Sequence, residues 1–165
     1  MRLLLTEEQV QARVRELAAQ LDGLYHDSTD LVLVGVLRGA LYFLADLSRA
    51  MRVSHRIDFV EYASYAGTSK EAGSLVKACS DGVAGADVVL VDEVFDTGET
   101  LHRLQETIRA GEARTLAVCV LLVKDGKSRF PEPELCGFHV GTEFLVGYGL
   151  DHNQQYRHLP YVAVL

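Results

Sequence analysis

Two hydrophobic periods divide the chain. Over residues 6–21 the apolar positions Val10, Val14, Leu17, Ala18 and Leu21 recur at three- and four-residue steps, the spacing of a helix with one buried face. Thr6-Glu7-Glu8-Gln9 ahead of them reads as a capping box. Near 31–36 the pattern becomes an unbroken apolar run, suited to a strand covered on both faces. The same reasoning predicts a helix over 39–50, a strand over 56–64 and a polar, glycine-containing connection over 66–73. A further apolar run at 88–91 precedes helical spacing at Leu101, Leu104, Gln105 and Ile108 that stops at Gly111, and 114–123 predicts another strand. Strands alternating with helices mean an α/β fold with a mainly parallel sheet flanked by helices. Beyond the charged, proline-containing stretch 125–134, short apolar segments at 135–140, 143–146 and 161–164 are expected to form a small accessory sheet. Ligands of open α/β sheets gather beyond the C-terminal strand edges, where Leu37, Asp92 and Lys124 would share one cleft.

Composition sets bounds on this picture. The chain has 165 residues, 48% of them hydrophobic, and a mean hydropathy of +0.10, which excludes disorder and fits one domain over 1–165. No apolar run approaches the ~20 residues needed to cross a bilayer, so no membrane association is expected. The opening residues lack a secretory signal, which points to the cytoplasm. With 23 acids against 16 bases the net charge is -7, which opposes general attraction to nucleic acid. An anionic ligand must therefore find a local positive field. Cys79, Cys119 and Cys136 lack CxxC spacing and are expected to be buried free thiols.

The most chemically informative stretch is Val88-Val89-Leu90-Val91-Asp92-Glu93-Val94-Phe95-Asp96-Thr97-Gly98-Glu99-Thr100. A buried strand is expected to end abruptly in two carboxylates, followed by a turn in which Gly98 relieves crowding and Thr97 and Thr100 supply hydroxyls before a helix. Free amides at that helix start attract a phosphate, whereas Asp92 and Glu93 would repel one and instead accept from sugar hydroxyls or approach a divalent cation. A phosphorylated sugar satisfies both halves.

This stretch resembles the phosphoribosyl pyrophosphate (PRPP) motif of type I phosphoribosyltransferases. Four further segments in order, 34–40 (Val-Gly-Val-Leu-Arg-Gly-Ala), Ser64-Tyr65, Leu121-Leu122-Val123-Lys124 and 144–151 (Phe-Leu-Val-Gly-Tyr-Gly-Leu-Asp), resemble the hypoxanthine-guanine phosphoribosyltransferase family. Arg157 and the closing segment 159–165 extend the resemblance from about Leu31 to the C-terminus. It implies the type I phosphoribosyltransferase fold, with a small hood built from terminal segments and with 125–165 contributing purine-binding and accessory parts. It also implies a Mg²⁺-dependent salvage enzyme that converts a 6-oxopurine, hypoxanthine or guanine, and PRPP into IMP or GMP and pyrophosphate.

By the same resemblance Asp96 is the general base near the purine N7. Asp92, Glu93, Asp96, Thr97, Gly98, Glu99 and Thr100 bind the ribose and 5′-phosphate of PRPP. Leu37, Arg38 and Gly39, with a cis peptide between the first two, form the pyrophosphate loop together with Arg157. Ser64 and Tyr65 begin a loop that closes over the reacting centre. Lys124 donates to the 6-oxo group, Phe144 stacks on the purine, Leu145 offers backbone groups to its far edge, and Asp151, with Asp92 and Glu93, contacts Mg²⁺. Assembly as a homodimer or homotetramer is implied as well.

Without the resemblance, each residue has a plainer reading. Asp96 would start a helix, Asp92 and Glu93 would sit in a solvated loop, Lys124 would be a solvated strand end, Phe144 core, and Arg157 half of a surface ion pair. The order Asp92-Glu93 reverses the family's usual Glu then Asp. Glu99 stands where the family often has a basic or neutral residue; pointing outward, it would gain about 0.3 to 1 kcal/mol from the helix dipole. Alternatives to the main reading are a xanthine-preferring transferase, an RNA-binding regulator that keeps the PRPP site, and a phosphoacceptor receiver domain. The acidic balance opposes the second, and the late position of the acidic pair opposes the third.

Overall fold

The computed structural model describes residues 1–63, 74–77, 79, 81–126 and 128–165, with 63 and 74–77 described as backbone. Four elements open the chain: β1 (Arg2–Leu5), α1 (Glu7–Leu24), β2 (Leu31–Leu37) and α2 (Leu41–Ala50). Next come β3 (Arg56–Ala63), β4 (Ser74–Lys77), β5 (Asp87–Phe95), α3 (Glu99–Ala110) and β6 (Thr115–Lys124). The chain closes with β7 (Leu135–Val140), β8 (Leu145–Val146) and β9 (Val162–Val164).

The main sheet has six strands in the order β4-β3-β2-β5-β6-β7, all parallel except β4, which pairs antiparallel with β3. Successive residues of a strand face opposite sides, and both sides are covered. Leu31, Leu33, Val89, Val91 and Leu121 pack with the buried faces of α1 and α2, while Val32, Val34, Val88, Leu90 and Val120 pack under α3. Helix α1 starts where expected: Thr6 accepts from the Gln9 amide and Gln9 returns the bond to the Thr6 amide. It buries Val10, Val14, Leu17, Ala18 and Leu21 and runs on past Leu21 through Gly23 to Leu24.

A second, three-stranded sheet in the order β1-β9-β8 joins the two ends of the chain into a hood. Two expectations are corrected here, and one strand is added. Residues 135–140 do not join the small sheet but extend the main one, pairing parallel with β6. Their place in the hood is taken by Arg2–Leu5, a strand too short and too exposed to announce itself by pattern. Among the cysteines only Cys119 is fully buried, its thiol pushed up to about 12 by desolvation, while Cys79 and Cys136 are partly exposed. The connection expected at 66–73 lies outside the described residues.

Candidate active site

Strand β5 does not stop at the acidic pair. It continues to Phe95, with Asp92 in register with Val120 and Val94 with Leu122, so both acids sit inside the C-terminal half of a central strand. Asp92 is buried, and its Oδ1 accepts from the Glu93 amide at 2.9 Å. Burial first, and the neighbouring Glu93 charge second, push its carboxyl well above the usual carboxylate range. The Glu93 carboxylate lies against Gly39, where any added Cβ would overlap it.

After Phe95 the chain turns through Asp96 and Thr97 into Gly98, whose φ of 79° lies in the left-handed region that a side chain disfavours. Gly98 is the N-cap of α3 and supplies no side-chain cap; the Glu99 amide donates to the Thr97 hydroxyl at 3.4 Å, and the amides of Thr100 and Leu101 that follow can meet an anion. Behind the turn, Ser128 donates its hydroxyl to the Thr97 carbonyl at 2.9 Å. Glu99, expected among the phosphate contacts, turns away: its carboxylate accepts from Arg103 one helical turn on at 3.0 Å, and it does not line the cleft. An i,i+4 pair satisfies that carboxylate on the solvent side.

Strand β6, beside β5, ends at Lys124, and the Lys124 Nζ stands 3.9 Å from the Asp96 Oδ2. Lys124 is largely buried and Asp96 largely exposed, so the acid is free to move toward a ligand while the cation is held. On the other side of β5, β2 delivers Leu37, Arg38 and Gly39, with the Leu37–Arg38 peptide cis as expected. The hood closes the cleft from above. Asp151 pairs with Arg157 at 2.6 Å and accepts from the Gln154 amide at 2.8 Å, and Arg157 donates to the Gly149 carbonyl at 2.5 Å. The Arg157 Nε is buried and has no hydrogen-bond partner among the described residues.

These parts enclose a cleft of about 310 Å³. Leu37, Arg38, Gly39, Asp92, Glu93, Asp96, Thr97, Gly98, Thr100, Asp151 and Arg157 line it. The base-side residues stand apart from these walls. Lys124 joins them through Asp96, whereas Phe144 is 55% exposed and meets His152 edge-on at 5.5 Å. Leu145 is buried in β8 opposite Val164. Since the Leu165 amide bonds the Phe144 carbonyl, the adjacent 145/164 pair is the non-hydrogen-bonded one and the Leu145 backbone groups point away from β9. Ser64 and Tyr65 lie outside the described residues.

Tyr62, near the end of β3, also lines the cleft and was not foreseen. Its signal was an amphipathic aromatic at the C-terminal end of a parallel strand. For a divalent cation the cleft offers Asp92, Glu93 and Asp151, yet among the described residues no cluster of three or more ligating side chains occurs. That arrangement suits Mg²⁺ held by one or two carboxylates and otherwise by oxygens of substrate and water.

Comparison with known proteins bears on the whole chain. Residues 4–153 match the model of the phosphoribosyl transferase domain. The chain is 39% identical to the hypoxanthine phosphoribosyltransferase of Escherichia coli (strain K12), covering 98% of this chain and 93% of that protein. It is 36% identical to the hypoxanthine-guanine phosphoribosyltransferase of Bacillus subtilis (strain 168), covering 99% and 92%. A crystal structure of a hypoxanthine phosphoribosyltransferase from Staphylococcus aureus superposes with a TM-score of 0.92 at 34% identity, covering 99% of this chain and 90% of that one.

Proposed function

The chain belongs to the phosphoribosyl transferase domain family, among the hypoxanthine-guanine phosphoribosyltransferases, and on that premise we propose that it transfers the 5-phosphoribosyl group of PRPP to a 6-oxopurine. The products are IMP or GMP and pyrophosphate, a purine salvage reaction. The observation that carries this reading is the meeting of Asp96 and Lys124 at 3.9 Å, on neighbouring strand ends, beside an uncapped helix N-terminus. A nucleotide presents phosphate, ribose and base in that order.

Breaking the bond from C1 to pyrophosphate builds positive charge on the ribose and negative charge on the leaving group. Amides of the 97–100 turn hold the 5′-phosphate, and Glu93 and Asp92 accept from the ribose hydroxyls. Asp96 takes the proton lost from N7 of the incoming base, an effect worth about 10² to 10⁴ in rate. Lys124 donates to the 6-oxo oxygen, and a 6-amino group there would set donor against donor. Phe144 covers the base and the outward Leu145 backbone meets its far edge. The Leu37-Arg38-Gly39 loop and Arg157 receive pyrophosphate, a role supported by the unpartnered Arg157 Nε.

Asp151, Asp92 and Glu93 would hold Mg²⁺ where it arrives on PRPP, and the ion would there neutralise charge on the leaving group. Cytoplasmic residence belongs to the same reading, supported by the free thiols of Cys119 and Cys136. Assembly into dimers or tetramers does too, supported by Leu41 and Tyr42, exposed on the first turn of α2, and sedimentation would check it.

Hypoxanthine, guanine, xanthine and adenine, each offered with PRPP and Mg²⁺, test the proposal by chromatography of the nucleotide formed. Turnover with hypoxanthine or guanine and little with adenine is expected. No nucleotide from any 6-oxopurine would end it.

A further inference from the structure

The hood turn that precedes Asp151 is held in a conformation its sequence resists. Gly147, Tyr148 and Gly149 have φ of 94°, 48° and 101°, and the middle residue carries a side chain in the left-handed region. The Tyr148 side chain holds it. The Tyr148 ring is buried, and its hydroxyl donates to the Asp46 Oδ2 at 2.7 Å. The same Asp46 carboxylate accepts from Gln11 of α1 at 2.6 Å and from Arg49 of α2 at 2.8 Å. Burial opposes ionisation of Asp46, but the bonds from Tyr148, Gln11 and Arg49 outweigh it and hold the carboxyl below the usual range.

Neither Asp46 nor Tyr148 lines the cleft, but the residues packed against the turn they hold, Arg157 and Gly39, do. The Gly149 carbonyl accepts from Arg157, the Gly149 amide donates to the Arg157 carbonyl at 3.0 Å, and Gly149 packs so closely on the Gly39 carbonyl that a Cβ would overlap it. Helix α2, which carries Asp46, begins two residues after Gly39. The Asp46–Tyr148 bond thus stands behind the turn that holds Arg157 and, through Gly149, behind the loop at 37–39 on which that turn packs.

We propose that Asp46, acting through the Tyr148 hydroxyl, is a positioning residue for the pyrophosphate end of the cleft. This rests on the functional reading above and goes beyond it in naming a residue that touches no substrate. A purely architectural role would lower the melting temperature and leave the two substrates equally affected. A positioning role is selective. Y148F, which keeps the ring, and D46A are each expected to raise KM for PRPP about tenfold, the lower end of what a hydrogen bond to a charged group supports. KM for hypoxanthine is expected to stay within about twofold.

D46N, which retains an acceptor oxygen for the phenol, is expected to recover most of the loss. The double variant D46A/Y148F is expected to be no worse than D46A alone, because both changes remove the same link. Calorimetric binding of Mg²⁺-pyrophosphate to each folded variant separates this proposal from the functional reading. Should the wild type form no nucleotide, that reading fails, while a selective loss of pyrophosphate affinity in Y148F and D46A still supports the link. Unchanged pyrophosphate affinity, equal shifts for both substrates, or additive effects in the double variant would overturn it.

Discussion

Asp87 and Asp92 stand five residues apart on β5, are 5% and 8% exposed, and live in opposite electrostatic worlds. Asp87, at the N-terminal end, accepts from Ser28 at 2.6 Å, from Thr115 at 2.8 Å and from both arms of Arg114 at 2.9 and 2.5 Å. The Arg114 guanidinium holds its carboxyl far below the ordinary value, despite burial. Asp92, at the C-terminal end, has the Glu93 amide and a second carboxylate for company, and its carboxyl is pushed up. A strand that is apolar between them supports the fold at one end and stores unfavourable electrostatics at the other. That cost sits where a sugar's hydroxyls and a cation would repay it.

The contrast can be broken by substitution. The largest effect expected is on rate: Asp96→Asn should lower turnover by about 10² to 10⁴, while PRPP still binds and the melting temperature holds. Comparable turnover in stopped assays would remove Asp96 from the chemistry. At the other end, Asp87→Ala should cost about 2 kcal/mol in urea unfolding, the loss of charge-assisted bonds to a half-exposed Arg114, and leave turnover per folded molecule intact. Lys124→Ala should weaken hypoxanthine binding about tenfold and narrow its advantage over adenine, measured as the ratio of kcat/KM values. The smallest effect is a gain. Asp92→Asn should stabilise the ligand-free protein by about 1 kcal/mol at neutral pH, while weakening PRPP binding.

The two aspartates also predict opposite pH dependence. Asp87 has a lowered folded-state pKa, so its stabilisation is complete above the ordinary 3.8 and is lost as pH falls toward the still lower folded value. Asp92 has a raised one, so the folded state holds its proton over a range where the unfolded chain has lost it. Stability on its account therefore falls as pH rises from 3.8 through the folded value. The advantage of Asp92→Asn over wild type should accordingly vanish in acid, whereas the deficit of Asp87→Ala should shrink there. A D92N advantage that grew on acidification would contradict the assignment.

Much of the functional end was legible in the sequence because it is contiguous. The apolar run, the acidic pair, the Thr97-Gly98 turn and the helix after it lie within one stretch of chain whose local rules agree. The structure also brings Lys124 to Asp96 as that reading required. What stayed hidden depends on partners far apart. Periodicity finds residues 135–140 but cannot say which sheet they join, and β1 is too short to be a strand until β9 pairs with it. Glu99 belongs to the same contiguous stretch, but its outward turn depends on Arg103, one helical turn on. The Asp46 link draws on Gln11, Arg49 and Tyr148, from two helices and the hood, and no spacing connects them.

The most direct test of the account is the stoichiometry of a single turnover with PRPP, Mg²⁺ and hypoxanthine, in which pyrophosphate released and IMP formed are counted together. One molecule of each per site is the predicted result, falling away together in the Asp96 variant. Pyrophosphate released without nucleotide, or PRPP left intact while the purine is bound, would contradict a cleft built to join the two.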